Sequence, residues 1–173
     1  MVDIETMGNK SKSAIISIGA VNFDIQSGET GRQFYCNISL QSCLDAGLTV
    51  NADTIMWWMR QSDEARKALN SNTIPLKQGL ILFHNWLCEV PDDYQIWGNS
   101  ARFDLGLLDD AYFSIGDKTP WNYWQERCVR TLVAFNPFLK KSIVNELPHD
   151  AISDCLYQIK YCSAIYNSIN INK

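Results

Sequence analysis

The sequence is poor in the residues that build zinc clusters. It holds only two histidines, and its six cysteines, Cys36, Cys43, Cys88, Cys128, Cys155 and Cys162, form no Cys-x-x-Cys pair; the ligand spacing of a structural zinc site is therefore absent. Cys155 and Cys162 fall one heptad apart in a helical pattern and read as small apolar core residues, not as a bridge. No run approaches the roughly 18 uninterrupted apolar residues of a membrane helix. The N-terminus also lacks a basic stretch leading into an apolar one, so neither a span nor a secretory signal is visible, and the expected location is the cytoplasm. Repeats, linkers and low-complexity tracts are missing too. Nor is the chain basic: its net charge is −4, which speaks against broad duplex binding, because nonspecific attraction to phosphate needs a positive surface. A protein that grips only a strand end escapes that objection, and bound divalent cations would reverse the local sign of an acidic site.

What is present suits one packed domain over residues 1–173. Apolar residues make up 46% of the chain, aromatics 12% and charged residues 20%, a composition of globular proteins and not of disordered ones. Residues 1 to 38 read as three antiparallel strands. Met1 to Thr6 alternates, Ser13 to Phe23 is apolar on both faces and so central, and Arg32 to Ile38 follows the turn Asp24 to Thr30. Helical spacing follows over 53 to 70 and 75 to 89. A short strand, Tyr94 to Trp97, ends at Gly98-Asn99, and 104 to 115 is helical again. A strand near Cys128 to Arg130, a loop holding Pro137 and Pro148, and a last helix from Ala151 to Asn167 complete a βββαβαβα order of α/β type. The tail Asn167 to Lys173 is expected to fray.

The chemistry lies in scattered acids. Asp3 and Glu5 stand two apart on a strand, so both carboxylates share one face and Val2 and Ile4 the other. A solvated strand face accounts for that pair taken alone. Asp104 sits on or beside an apolar stripe of Leu107, Leu108, Ala111 and Ile115, where a carboxylate needs a partner. The N-terminal amides of its helix would serve, and so would a metal ion. His149 and Asp154, five apart, would diverge by about 140° on one ideal helix. With Asp150 as N-cap, His149 instead lies in the preceding extended residue and Asp154 in the first turn, from which both reach one place. Taken singly, a surface histidine and a solvated helix acid are equally ordinary readings. Together, four carboxylates and an imidazole suit two divalent cations about 3.5 to 4 Å apart clamping a phosphodiester, with the histidine taking a proton from water.

These residues resemble a family. Asp3-Ile4-Glu5-Thr6 is similar to the first motif of the DEDD exonucleases, Asn99 to Asp104 to the second, and His149-Asp150-Ala151-Ile152-Ser153-Asp154 to the His-x4-Asp third motif of the DEDDh branch. Thr54 to Trp58 and Arg127 to Thr131 resemble segments of the Rv2179c-like group of bacterial and phage exonucleases, and the likeness covers nearly the whole chain. It implies an RNase H-like fold, a five-stranded mixed sheet flanked by helices. It also implies 3′-5′ hydrolysis of single-stranded DNA or RNA ends to nucleoside 5′-monophosphates, with two magnesium ions per site and manganese able to substitute. Asp3 would bridge the ions, Glu5 and Asp154 hold the water-activating one, Asp104 hold the second, and His149 act as general base. Thr6 and Met7 would touch the terminal nucleotide, and Phe103 or Trp57 would stack on bases. For Trp57, Trp58 and Phe103 a place in the core is the stronger reading, since adjacent helical Trp residues diverge by about 100° and at least one usually packs inward. Arg130 reads as a contact to phosphate or to a site carboxylate and equally as a surface arginine, and Asn99 reads first as closing its own turn and second as a substrate contact. A homodimer is a further implication. The chain departs from relatives at Leu105, Asp150 and Cys128, which bears on substrate contacts, and its first motif lies so close to Met1 that the strand is open to fraying. Two other functions use the same fold: a noncatalytic module that binds nucleic acid or a partner protein, and a hydrolase of small phosphates or dinucleotides.

Overall fold

The computed structural model describes residues 1–91, 93–145 and 149–170. Three strands, β1 (Val2–Thr6), β2 (Ile15–Phe23) and β3 (Thr30–Asn37), form an antiparallel meander. Two short strands, β4 (Ile96–Gly98) and β5 (Glu126–Cys128), join it in parallel, giving the order β3-β2-β1-β4-β5. This is the mixed five-stranded sheet expected. Because β1 lies at its centre, all five of its residues are buried, and the strand is tied from its first residue, the Val21 amide donating to the Met1 carbonyl at 2.9 Å. Fraying is thus countered by β2.

Helices cover both faces. On one, α4 (Leu76–Leu87) and α5 (Gly106–Ser114) pack on Val2, Ile4, Ile18 and Ala20. Phe83 anchors that layer, with ring centroids 5.4 Å from Phe34, 6.2 Å from Trp86 and 6.3 Å from Trp121. On the other, α8 (Ala151–Asn170) lays Cys155, Ile159, Cys162 and Ile165 against Met1 and Val21. Both cysteines are core residues, as their spacing indicates. Since Val2 and Ile4 occupy the first face, Asp3 and Glu5 point under α8. Gly19 sets how close that helix comes: a Cβ there would stand 2.7 Å from the Ala151 Cβ, so only glycine lets the start of α8 touch β2.

Several boundaries differ from those the sequence predicts. The helix expected over 53 to 70 is two, α2 (Ala52–Trp58) and α3 (Asp63–Asn70), because the Ser62 hydroxyl accepts from the Ala65 amide and starts a new helix. A helix that the apolar pattern did not reveal, α1 (Leu40–Asp45), is capped by Ser39. The segment read as loop contains α6 (Val129–Val133) and α7 (Pro137–Lys141), the latter with proline in its first turn, where the missing amide costs nothing. Pro148 lies outside the described residues. The fifth strand ends at Cys128, so Arg130 belongs to α6. The last helix continues to Asn170, beyond the expected end at Asn167. None of the described helices is long and apolar enough to cross a membrane.

Candidate active site

Five separated residues meet at one cleft of 310 Å³: Asp3, Glu5, Asp104, His149 and Asp154. The first two arrive by strand geometry alone. They are not a solvated pair, since Asp3 is only 8% exposed and Glu5 9%. Asp104 arrives through a single π-helical turn, Ala101–Leu105, inserted between β4 and α5, a rare geometry often found at functional sites. Periodicity alone starts α5 at Asp104 and makes that residue a candidate N-cap. Instead its Oδ2 accepts from the Ser100 amide at 2.9 Å, reaching backward to close the turn. Gly98 leaves the space, as a Cβ there would lie 3.2 Å from that oxygen.

The third group comes from the start of α8. Asp150 caps the helix as expected, its Oδ1 accepting from the Ser153 amide at 2.8 Å. His149 is not extended but left-handed, with φ of 67°. That conformation turns its amide onto Asp154 Oδ2 at 3.1 Å, which repays the strain of positive φ. Asn145 donates its side-chain amide to the other oxygen of Asp154. Held this way, ligand atoms of Glu5, His149 and Asp154 lie within 4.8 Å of one another.

The electrostatics of this cluster are unfavourable as it stands. Burial, then the charges of Asp104, Glu5 and Asp154, push the Asp3 carboxyl well above its ordinary range. Burial and the neighbouring acids push Glu5 up to about 8. Burial raises Asp104 to about 6, with the Ser100 amide, its own amide and Arg130 among the influences holding it down. Asp154 is raised by burial, against the pull of Asn145 and His149. No close ion pair relieves this: among the described residues the ion pairs are Arg32–Glu89 and Arg66–Asp63, both exposed, and Arg130 acts on Asp104 without pairing to it. Buried carboxylates without a cation cost several kcal/mol each. A set of hard oxygen donors crowded in this way fits divalent cations of the magnesium type. Two more buried oxygens, Gln158 Oε1 and Asn99 Oδ1, lack hydrogen-bond partners among the described residues and line the same cleft.

Asn99, Phe103 and Arg130 also line the cleft. The Asn99 carbonyl accepts from the Arg130 amide at 3.1 Å, so the end of β4 positions the start of α6. Thr6, Met7 and Trp57 do not line it. The Thr6 hydroxyl is committed to the Gly8 carbonyl at 2.6 Å. Met7 faces a separate apolar cleft with Ile16 and Trp58. Trp57 borders the site differently, its ring standing edge-on to the His149 imidazole with centroids 4.8 Å apart. Trp58 is the inward member of the pair, its Nε1 donating to the Thr6 carbonyl at 2.9 Å. Sequence reasoning missed Gln158, Tyr157, Tyr161 and Lys140 at this cleft. Gln158 was within reach of it, being one helical turn beyond Asp154. Lys140, over the Tyr161 ring at 5.4 Å, sits in a segment without visible periodicity.

A mixed sheet with this order, flanked by helices and with acids gathered on one side of its central strand, is an RNase H-like fold. The chain belongs to the Rv2179c-like family, whose 3′-5′ exoribonuclease domain matches residues 1–166. It is 25% identical over 193 aligned residues to an exodeoxyribonuclease of Enterobacteria phage T4, covering 92% of this chain and 85% of that protein. In fold it resembles the crystal structure of cell-death related nuclease 4 (CRN-4), with a TM-score of 0.56 at 11% identity; 96% of this chain aligns, but it spans only 62% of that one.

Proposed function

We propose that the protein is a 3′-5′ exonuclease that releases nucleoside 5′-monophosphates from single-stranded DNA or RNA ends with two magnesium ions. The observation that carries this reading is the convergence of Asp3, Glu5, Asp104 and Asp154 beside His149, with no cationic side chain paired to any of them among the described residues. Asp3, Glu5 and Asp154 would hold one ion, and Asp3 and Asp104 the other. When bound, the ions supply charge stabilisation to the phosphoryl oxygens and lower the pKa of water. His149 accepts the proton of the attacking water at its imidazole, kept in place by Trp57 and by the backbone bond to Asp154. The water oxygen bonds to phosphorus and the bond to the O3′ of the shortened strand breaks. Arg130, whose fork suits a phosphate, faces that group, and Phe103 stacks on the base. The 3′-5′ exoribonuclease description of the matching family supports the 3′ polarity. Labelled DNA and RNA oligomers of matched sequence, incubated with magnesium, manganese or chelator, test the reading. Stepwise loss of 3′ mononucleotides only with metal is expected. Inertness would favour a binding module, and cleavage confined to small phosphates a different hydrolase.

A further inference from the structure

A second groove adjoins the acidic cleft, and its character is opposite. It has a volume of 540 Å³ and runs between the loop after β1 and the π-helical turn, with Asn9, Lys10 and Ser11 on one wall and Arg102 and Gly106 on the other. Ser100 and Phe103 line both spaces, so the two adjoin at these residues. Lys10 and Arg102 are exposed, and neither belongs to an ion pair among the described residues. The one acid on the groove, Asp110, is committed: its Oδ2 accepts from the Lys12 amide at 2.6 Å and the Ser11 hydroxyl at 3.0 Å. That pair of bonds also fixes the loop. Lys12 is held at φ 62°, and its carbonyl accepts from the Thr49 amide at 2.7 Å. The Ser13 hydroxyl donates to the Lys10 carbonyl at 2.6 Å. The Lys10 side chain therefore projects from a rigid frame.

On a chain of net charge −4, a pair of unpaired cations flanking a groove that adjoins the acidic cleft is a local exception. We infer that this groove binds the substrate strand next to the nucleotide being removed, with Lys10 and Arg102 meeting its phosphates from opposite walls. The inference rests on the nuclease reading above and deepens it, because it makes a polynucleotide, not a mononucleotide ester, the substrate the protein selects. Asn9 adds a neutral donor to the track, and Gly106 keeps the groove floor open, a Cβ there meeting only the Ala101 carbonyl at 3.9 Å.

The test compares a single-stranded dodecamer with the p-nitrophenyl ester of thymidine 5′-monophosphate, a substrate too short to enter the groove, in magnesium. For the double variant Lys10→Ala/Arg102→Ala, the ratio of kcat/KM on the dodecamer to that on the ester falls by about tenfold or more at low salt. The slope of log KM for the dodecamer against log salt flattens by about 1.4, about 0.7 for each single-strand phosphate that the variant no longer neutralises. Lys10→Arg/Arg102→Lys restores both. Continued hydrolysis of the ester shows that the variants fold. An unchanged ratio and slope in the alanine variant overturns the groove while leaving the nuclease reading intact. A wild-type protein inert on both substrates overturns the nuclease reading, and the groove's assignment with it.

Discussion

Gln158 donates from Nε2 to Asp3 Oδ1 at 2.7 Å, yet its own Oε1 is buried without a partner among the described residues. The amide therefore orients the central carboxylate of the cluster at the cost of an unsatisfied acceptor, and protein stability does not explain why it is there. Gln158→Leu removes the bond and the orphan together. We expect the metal concentration for half-maximal activity to rise by about tenfold to a hundredfold, with kcat at saturating metal nearly recovered and thermal stability little changed, the removed orphan offsetting the donor that Asp3 loses. A metal titration of activity beside a melting curve checks this. Loss of stability with unchanged metal dependence would make Gln158 a purely structural residue.

Asp104 shows the same trade more sharply. Its side chain is 3% exposed and its charge acts on Asp3 in a site with no paired cation among the described residues. Asp104→Asn keeps the size and can still accept from the Ser100 amide, but it removes a buried like charge. Cleavage is expected to fall by about a thousandfold, roughly 4 kcal/mol of barrier. At the same time the metal-free protein should melt higher than wild type at alkaline pH. Full activity in the variant would contradict the assigned role, and a lower metal-free melting temperature would contradict the repulsion argument.

Much of this was legible in the sequence, for definite reasons. The period of two in β1 put Asp3 and Glu5 together whatever the rest of the chain did. Asp150 was readable as the cap of α8, and the placement of His149 outside that helix followed from it. What was not legible depended on tertiary or irregular backbone. No local pattern marks a π turn, so by periodicity Asp104 reads as the first residue of a regular helix. The left-handed His149 follows from its bond to Asp154. The role of Trp57 against the imidazole, and the burial of Asp3 and Glu5 under α8, emerge only when distant parts of the chain, the two ends about 150 residues apart among them, are brought together.

The metal-free protein should lose stability as pH rises. Glu5 carries a folded value of about 8 against an ordinary 4.5, and Asp3 and Asp104 are shifted in the same direction. The native state therefore holds protons that the unfolded chain releases. The contribution is complete below about 4.5 and disappears as pH rises through about 8. Melting temperatures in chelator should fall steadily from pH 5 to pH 9, and magnesium or manganese should flatten the decline by giving the carboxylates a cation. A metal-free melting temperature that rises over this range would refute the account.

For Trp57 the sequence offers base stacking or a place in the core, and the structure adds support of the histidine. Its ring meets the His149 imidazole at 88° and 4.8 Å, while its exposure is 38% and it does not line the cleft. The edge-on packing restricts rotation of the imidazole, so truncation should act on the proton transfer and not on binding. Trp57→Leu is expected to lower kcat by about tenfold, within the range that general-base positioning supplies, with KM for an oligonucleotide changed by less than about twofold. Trp57→Phe retains an aromatic wall and should recover most of the rate. A rise in KM at constant kcat would instead assign the ring to a substrate base, because a loss of uniform binding shows in KM alone.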